Sequence, residues 1–319
     1  MEIAPGIHRI DTPLGERRCS VYLLAGSDSA LLIDTGLAGS VESAILPELD
    51  RLGVEPERVR LVLISHADID HCGDAEAAKR AFPRALLACH HADAAEIGSL
   101  EAMIERRYGQ FATEHGLVDS AETLAWYRAA GRFAEPDLLL AGGESFALGS
   151  GWTVDLLHVP GHSRGHLALW DPHSRAAIVI DAALGRTLPT RSGEPAFPPT
   201  YRDVDDYLTT LDRLAALEPE LVLTAHYSTM DRTSGMVFLD ESRGFVADAE
   251  AEVLDALGNS LSSTIEVLQR VGPALGAWPV DTVLAALAFP IVGHLERLEA
   301  VGRVRRRHDA DGLAAWEAT

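Results

Sequence analysis

The apolar positions of this chain cluster into short runs that stop at polar residues. Five of them are ALLIDTG (30–36), RLVLISH (60–66), VDLLHVPGH (154–162), AAIVIDA (176–182) and LVLTAHY (221–227). Runs of this length, rich in Leu, Ile and Val, predict strands buried on both faces. Helical periodicity follows two of them, in SVESAILPELDRLG and GDAEAAKRAF. Alternating strands and helices predict an α/β layer structure. In such layers the polar residues just past each strand gather along one sheet edge, where sites are usually built. The histidines and aspartates of this chain fall at those ends repeatedly.

Two stretches depart from that rhythm. Residues 92–140, containing SLEAMIERRYGQFATEHGLVDSAETLAWYRAAGRF, predict two or three amphipathic helices carrying Tyr108, Phe111, Trp126, Tyr127 and Phe133. These aromatics either form a small core of their own or make a lid that shapes an organic-substrate pocket. The pattern changes again near residue 241, dividing the chain into a domain at 1–240 and a smaller one at 241–319. FVADAEAEVLDALGN, SSTIEVLQRVG, PVDTVLAALAF and PIVGHLERLEAVG are helical, and a hairpin is expected around Asp311-Gly312. That order looks like a winged-helix module. Its basic patch, Arg303, Arg305, Arg306 and Arg307, suggests DNA. The formal charge of −21 favours a packing or interaction role instead, with no nucleic acid or membrane as partner.

Composition narrows the class. With 319 residues and 47% apolar content the chain can bury a large core, and no apolar run is long enough to span a bilayer. MEIAPGIHRID lacks the features of a signal peptide, so a cytoplasmic location is expected. Three cysteines, Cys19, Cys72 and Cys89, without framework spacing predict no disulfide, and Cys72 reads as a buried small residue. Lys79 is the one lysine among 27 basic residues, which reflects a coding bias more than a function.

The chemistry concentrates in His66-Ala-Asp68-Ile-Asp70-His71, which puts four ligand-capable side chains in one turn directly after a strand. His162, Asp181 and His226 close other strands. Together HADIDH (66–71), PGHSRGH (160–166), IDAAL (180–184) and AHY (225–227), with the early IDTG (33–36), resemble the metallo-β-lactamase superfamily. The resemblance covers about residues 5–240 and implies a four-layer αββα sandwich with a helical insertion and two divalent metal ions. By that resemblance His66, Asp68 and His162 hold the first ion, Asp70, His71 and His226 the second, and Asp181 bridges both. Asp34 would be structural. His166, His158 and Tyr227 would stand behind the ligands or meet substrate, Arg164 would be either surface-exposed or paired with an anionic substrate group, and His90 and His91 read as surface or satisfied histidines. The 241–319 part resembles the winged-helix appendage of some hydrolases of the superfamily.

Two residues depart from the superfamily pattern. Asp68 occupies a position that is usually histidine, and Arg164 one that is often proline. A third carboxylate brings the net charge of two divalent ions, their carboxylates and a hydroxide near zero instead of about +1. That would weaken the Lewis acidity and move preference toward harder metals such as iron or manganese, with zinc still the first expectation. The expected reaction is hydrolysis of a small ester, thioester or lactone, with Asp70 holding the nucleophilic hydroxide. A diiron oxygen-handling enzyme, a ribonuclease-like hydrolase and a regulatory binding protein are the alternatives, and a homodimer is conceivable.

Overall fold

The computed structural model describes residues 1–258, 260–278 and 280–319, and all five apolar runs form strands in it. The first sheet has seven strands in chain order: β1 (Glu2–Ala4), β2 (Ile7–Thr12), β3 (Cys19–Ala25), β4 (Ala30–Ile33), β5 (Val59–Leu63), β6 (Leu86–His90) and β7 (Leu138–Leu140). Its first half is antiparallel, whereas β4 to β7 pair in parallel and therefore need crossovers. Helix α1 (Leu46–Leu52) serves the first crossover, and α2 (Ile69–Cys72) and α3 (Ala75–Ala81) the second. A second sheet contains β8 (Ser145–Gly149), β9 (Trp152–His158), β10 (Leu167–Asp171) and β11 (Ala176–Ile180). The hairpin β12 (Leu188–Pro189) and β13 (Pro195–Phe197) precedes its last members, β14 (Leu221–Thr224) and β15 (Met230–Asp231). The six strands stand in the order β15-β14-β11-β10-β9-β8.

Three cores separate the layers. Between the sheets lie Tyr22, Leu24, Leu31, Ile33 and Leu63, facing Leu156, Leu169, Ile178 and Leu223. The outer face of the first sheet packs on α1 and α3 through Ile45, Leu49 and Ala78. The outer face of the second packs Ala177, Val179 and Val222 against α8 (Val204–Ala216) and the C-terminal helices. Helix, sheet, sheet and helix are thus the four layers expected from the sequence. β4 and β11 are buried along their whole length, which explains their unbroken apolar runs, whereas β9 alternates between buried and half-buried positions.

The 92–140 stretch is more broken than its periodicity predicts. It contains α4 (Ala94–Gly98), α5 (Leu100–Ala102), a π-helical turn over Met103–Tyr108, α6 (Ala112–His115) and α7 (Ala121–Ala130). Its aromatics form no core of their own. Phe111 joins the outer core of the second sheet, with its ring 5.1 Å from that of Phe289, while Tyr127 and Phe133 pack toward the first. Trp126 is 45% exposed. Because the insertion lies across both outer cores, larger cores are available to its side chains than any it could build alone.

Helix α9 (Arg232–Leu257) runs unbroken through residue 240, where the sequence pattern changes. After it come β16 (Ser262–Ser263), α10 (Thr264–Leu275), α11 (Val280–Ala300), β17 (Val304–His308) and β18 (Ala314–Ala318). The hairpin around Asp311-Gly312 is β17–β18, to which β16 adds a third strand. Asn259 and Pro279, which bound two of the helical stretches read from the sequence, lie outside the described residues. The last two stretches are one helix, with Pro290 inside it. An interior proline costs about 3 kcal/mol, but Leu287, Ala288, Ile291 and Val292 are all fully buried around it. Burying side chains of this size offsets that cost. Each arginine of the basic patch has an acidic partner: Arg303 with Glu250, Arg305 and Arg307 with Glu317, and Arg306 with Glu114 and Glu299.

His294 of α11 is fully buried, and its Nε2 shares a 2.8 Å hydrogen bond with the Tyr201 hydroxyl. Burial, reinforced by Arg297, pushes its pKa down to about 3. A histidine depressed when folded leaves the unfolded chain binding more protons below its ordinary pKa of 6.5. Stability should therefore fall as pH drops from about 6.5 toward 3, by about 1 kcal/mol per unit from this group. Thermal melts of the wild type and His294→Gln across that range check this. An equally steep acid decline in both proteins would remove His294 as its source.

Candidate metal centre

Each strand end described above delivers one piece of a single floor. β4 delivers Asp34, β5 delivers His66 to His71, the loop after β9 delivers His162, β11 delivers Asp181 and β14 delivers His226. Two of these exits use unusual backbone. Asp34 has φ +67° and Ile180 φ +52°, the latter at a register break in β11 that turns Asp181 out of the strand. A β-branched residue in the left-handed region is strained, as residues beside working sites often are. Gly161 has φ +129°, and a Cβ there would run into the backbone of Tyr207. The glycine of PGH is thereby explained.

The seven residues expected to bind metal meet in two half-sites. In one, Asp68 Oδ2 lies 2.9 Å from His162 Nε2 and 3.4 Å from His66 Nε2. In the other, Asp70 Oδ2 lies 3.8 Å from His71 Nε2 and 3.7 Å from His226 Nε2. Asp181 Oδ2 stands between them, 3.0 Å from His226, 3.5 Å from His71 and 4.0 Å from His66. The donors of His66, Asp68 and His162 all lie within 4.8 Å of one another, as do those of His66, His71 and Asp181. His66 Nε2, His71 Nε2 and Asp181 Oδ1 are buried with no protein partner. Unpaired lone pairs converging in a dry interior are unfavourable unless a cation takes them, so the residues fit the implied divalent metal.

The outer nitrogen of three of the four imidazoles is tied back. His71 Nδ1 donates to Asp34 Oδ2 at 2.9 Å. Ser65 Oγ donates to the same oxygen at 2.8 Å and so accepts from His66 Nδ1 at 2.9 Å. His226 Nδ1 donates to the Arg18 carbonyl at 2.7 Å, while His162 Nδ1 has only a long 3.5 Å contact to Thr200. These bonds fix the tautomer that leaves Nε2 free to ligate. Burial alone would lower His71, but Asp70, Asp181 and Asp34 raise it well above the usual imidazole value. Burial would likewise raise Asp181, but His226 and His71 hold it well below the carboxylate range. His162 is pushed down to about 4, mainly by burial.

The other candidates divide. His166 is fully buried and stacks on His66 at 4.6 Å, with neither ring nitrogen bonded. His158 Nε2 donates to the Arg164 carbonyl at 2.9 Å, bracing the loop that carries His162 without touching a ligand ring. The side chain of Arg164 is exposed on a different cleft, beside Asp93 and Arg106, so it does not face the floor. Tyr227 places its hydroxyl between the carbonyls of Leu184 and Thr187, holding the loop after Asp181. His90 is buried and bonded to Ala141, His91 is exposed, and Cys72 is fully buried.

Two residues carry weight that sequence reasoning missed. Asp93 ties the motif loops together, accepting from Ala67 N at 3.2 Å, Ser163 Oγ at 2.6 Å and Gly165 N at 2.7 Å. Arg107, only 7% exposed, forks onto Asp68 with Nε–Oδ1 2.9 Å and Nη2–Oδ2 3.1 Å. Burial would raise Asp68, yet Arg107 and the His162 hydrogen bond hold it well below the carboxylate range. Neither residue belongs to a motif. The one signal available was Asp68 itself, a surplus carboxylate in need of a cation.

Above the floor is a cavity of about 280 Å³. Its roof comes from Tyr108, Trp126 and Tyr127 of the insertion, Ala285, Ala286 and Phe289 of α11, Leu14 and Arg17 between β2 and β3, and Phe197 of β13. Asp34→Ala should leave the fold intact but loosen both His66 and His71, cutting zinc affinity about 10–100-fold. Ser65→Ala, which acts on His66 alone, should lose less. Competition with a chromophoric chelator measures both, and unchanged affinity in Asp34→Ala would refute its orienting role.

Comparison with known proteins agrees with this geometry. The sequence model of the metallo-beta-lactamase superfamily matches residues 14–226. The human acyl-coenzyme A thioesterase MBLAC2 is 28% identical over 232 residues, spanning 66% of this chain and 74% of that protein. A hydroxyacylglutathione hydrolase of Aeromonas salmonicida (strain A449) is 25% identical over 211 residues, spanning 66% of this chain and 61% of its own. A metallo-beta-lactamase family protein of Thermus thermophilus superposes with TM-score 0.78 at 22% identity, covering 100% of both chains. A beta-lactamase domain protein of Burkholderia ambifaria gives 0.77 at 20% identity, covering 100% of this chain and 94% of that one. By sequence match, by fold and by its paired histidine–aspartate half-sites, the chain belongs to the metallo-beta-lactamase superfamily and is a metallo-hydrolase.

Proposed function

We propose that this hydrolase cleaves thioesters of small organic acids, using two zinc ions held by His66, Asp68, His162, Asp70, His71, His226 and Asp181. The observation that carries the reading is the two-part donor floor lying open to an apolar-walled cavity of about 280 Å³. Two curated relatives, a thioesterase and a hydroxyacylglutathione hydrolase, carry names that point the same way.

The ions, when bound, would supply Lewis acidity and make a shared water acidic enough to act near neutral pH. The remaining tasks belong to the chain. Asp70 lines the cavity floor and turns one oxygen toward His71 and His226. It is placed to hold and accept a proton from an attacking water. Tyr108, Tyr127 and Phe289 give an acyl group apolar and aromatic surface while excluding bulk water. The nuclease and DNA-binding readings lose support because the winged-helix-like part carries its arginines in ion pairs.

Metal-loaded protein should hydrolyse members of a panel of acyl-coenzyme A, acylglutathione, simple ester and lactone substrates. Asp70→Asn should lose at least about 10²-fold in kcat/KM. Elemental analysis should find two zinc ions per chain and no visible colour. A protein with both zinc ions bound that is idle on the whole panel would overturn the proposal. A coloured protein holding two irons would replace it with the oxygen-handling alternative.

A further inference from the structure

Asp68 stands where the superfamily motif usually has a histidine, and Arg107 is joined to it by two hydrogen bonds of 2.9 and 3.1 Å. The same guanidinium donates to the His162 carbonyl at 3.0 Å and lies 4.6 Å from the Phe289 ring centre. It is buried, and its charge is permanent. Within the ion pair Arg107 holds Oδ1 through Nε and Oδ2 through Nη2, and Oδ2 is also the oxygen turned toward His66 and His162.

We propose that Asp68 and Arg107 together stand in for one neutral imidazole, the carboxylate supplying the donor atom and Arg107 the compensating charge. The inference rests on the two-metal reading above. With Asp68 counted alone, three carboxylates and a hydroxide cancel two divalent ions. With Arg107 included the balance returns to +1, the value a histidine at position 68 would give. The surplus carboxylate then gives no reason to prefer iron or manganese over zinc. A histidine at 68 and an arginine at 107 become mutually exclusive, because together they would set an unpaired buried cation against the metal.

A purely mechanical role for Arg107, clamping the insertion onto the His162 loop, makes the opposite forecast for a double variant. The test is zinc affinity of the full chain by chelator competition, without substrate. Asp68→His should weaken zinc binding at least about tenfold, and adding Arg107→Gln to it should recover at least about tenfold. Arg107→Lys, which keeps the charge, should stay within about tenfold of wild type. Circular dichroism and melting of the metal-free proteins establish which variants fold. A folded double variant that binds no better than Asp68→His would overturn the proposal, as would Arg107→Lys falling to the level of Asp68→His. Failure of the thioester reading would look different: an inactive protein in which this affinity pattern is intact.

Discussion

An imidazole can ligate a metal only if one nitrogen is free of its proton, and in a dry interior the other N–H must find an acceptor. That constraint organises the floor of this protein. Asp34 meets it for two rings at once, for His71 directly and for His66 through Ser65. The Arg18 carbonyl meets it for His226. The left-handed turn at Asp34 and the distorted end of β11 make sense as parts of this arrangement. Both spend backbone strain to aim a carboxylate that regular geometry would point elsewhere.

Above that floor the molecule is asymmetric in a useful way. The clustered carboxylates and imidazoles lie beneath the cavity, and most of the apolar and aromatic groups lie over it, with Asp119 and Arg17 as charged members of the wall. Insertion and C-terminal part are also joined to each other. His115 bonds Thr264 at 2.9 Å, Trp316 bonds the same hydroxyl at 2.9 Å, and Arg306 pairs with Glu114. A roof built from two cross-linked segments is stiffer than either segment alone. The arginines of the last hairpin are likewise each set against a carboxylate, Glu317 for Arg305 and Arg307 and Glu299 and Glu114 for Arg306.

Much of this was legible in the sequence because strand ends announce themselves. A buried strand is a short apolar run, and the polar residues just beyond it gather at the sheet edge. Asp34, His66, Asp181 and His226 could therefore be placed together from the sequence. Arg107 and Asp93 could not, because their partners are 39 and 55 residues away for Arg107 and 26 to 72 for Asp93, and nothing local marks them. For Arg164 the sequence left exposure and substrate contact both open, because adjacency to His162 says nothing about which side of the loop a side chain takes; the side chain is exposed. The insertion escaped a periodicity reading because its amphipathic faces are satisfied by two different cores. Pro290 suggested a helix break that tertiary burial overrides.

The floor is drawn from strand ends and the roof from segments that interrupt or follow the strands. The donor groups and the groups that wall the cavity are therefore carried largely on separate stretches of the chain, so an insertion could be lengthened or a terminal helix reset without moving a donor. Arg107 is the exception. It reaches from the roof into the floor, so replacing this particular insertion would also reset the charge beneath it.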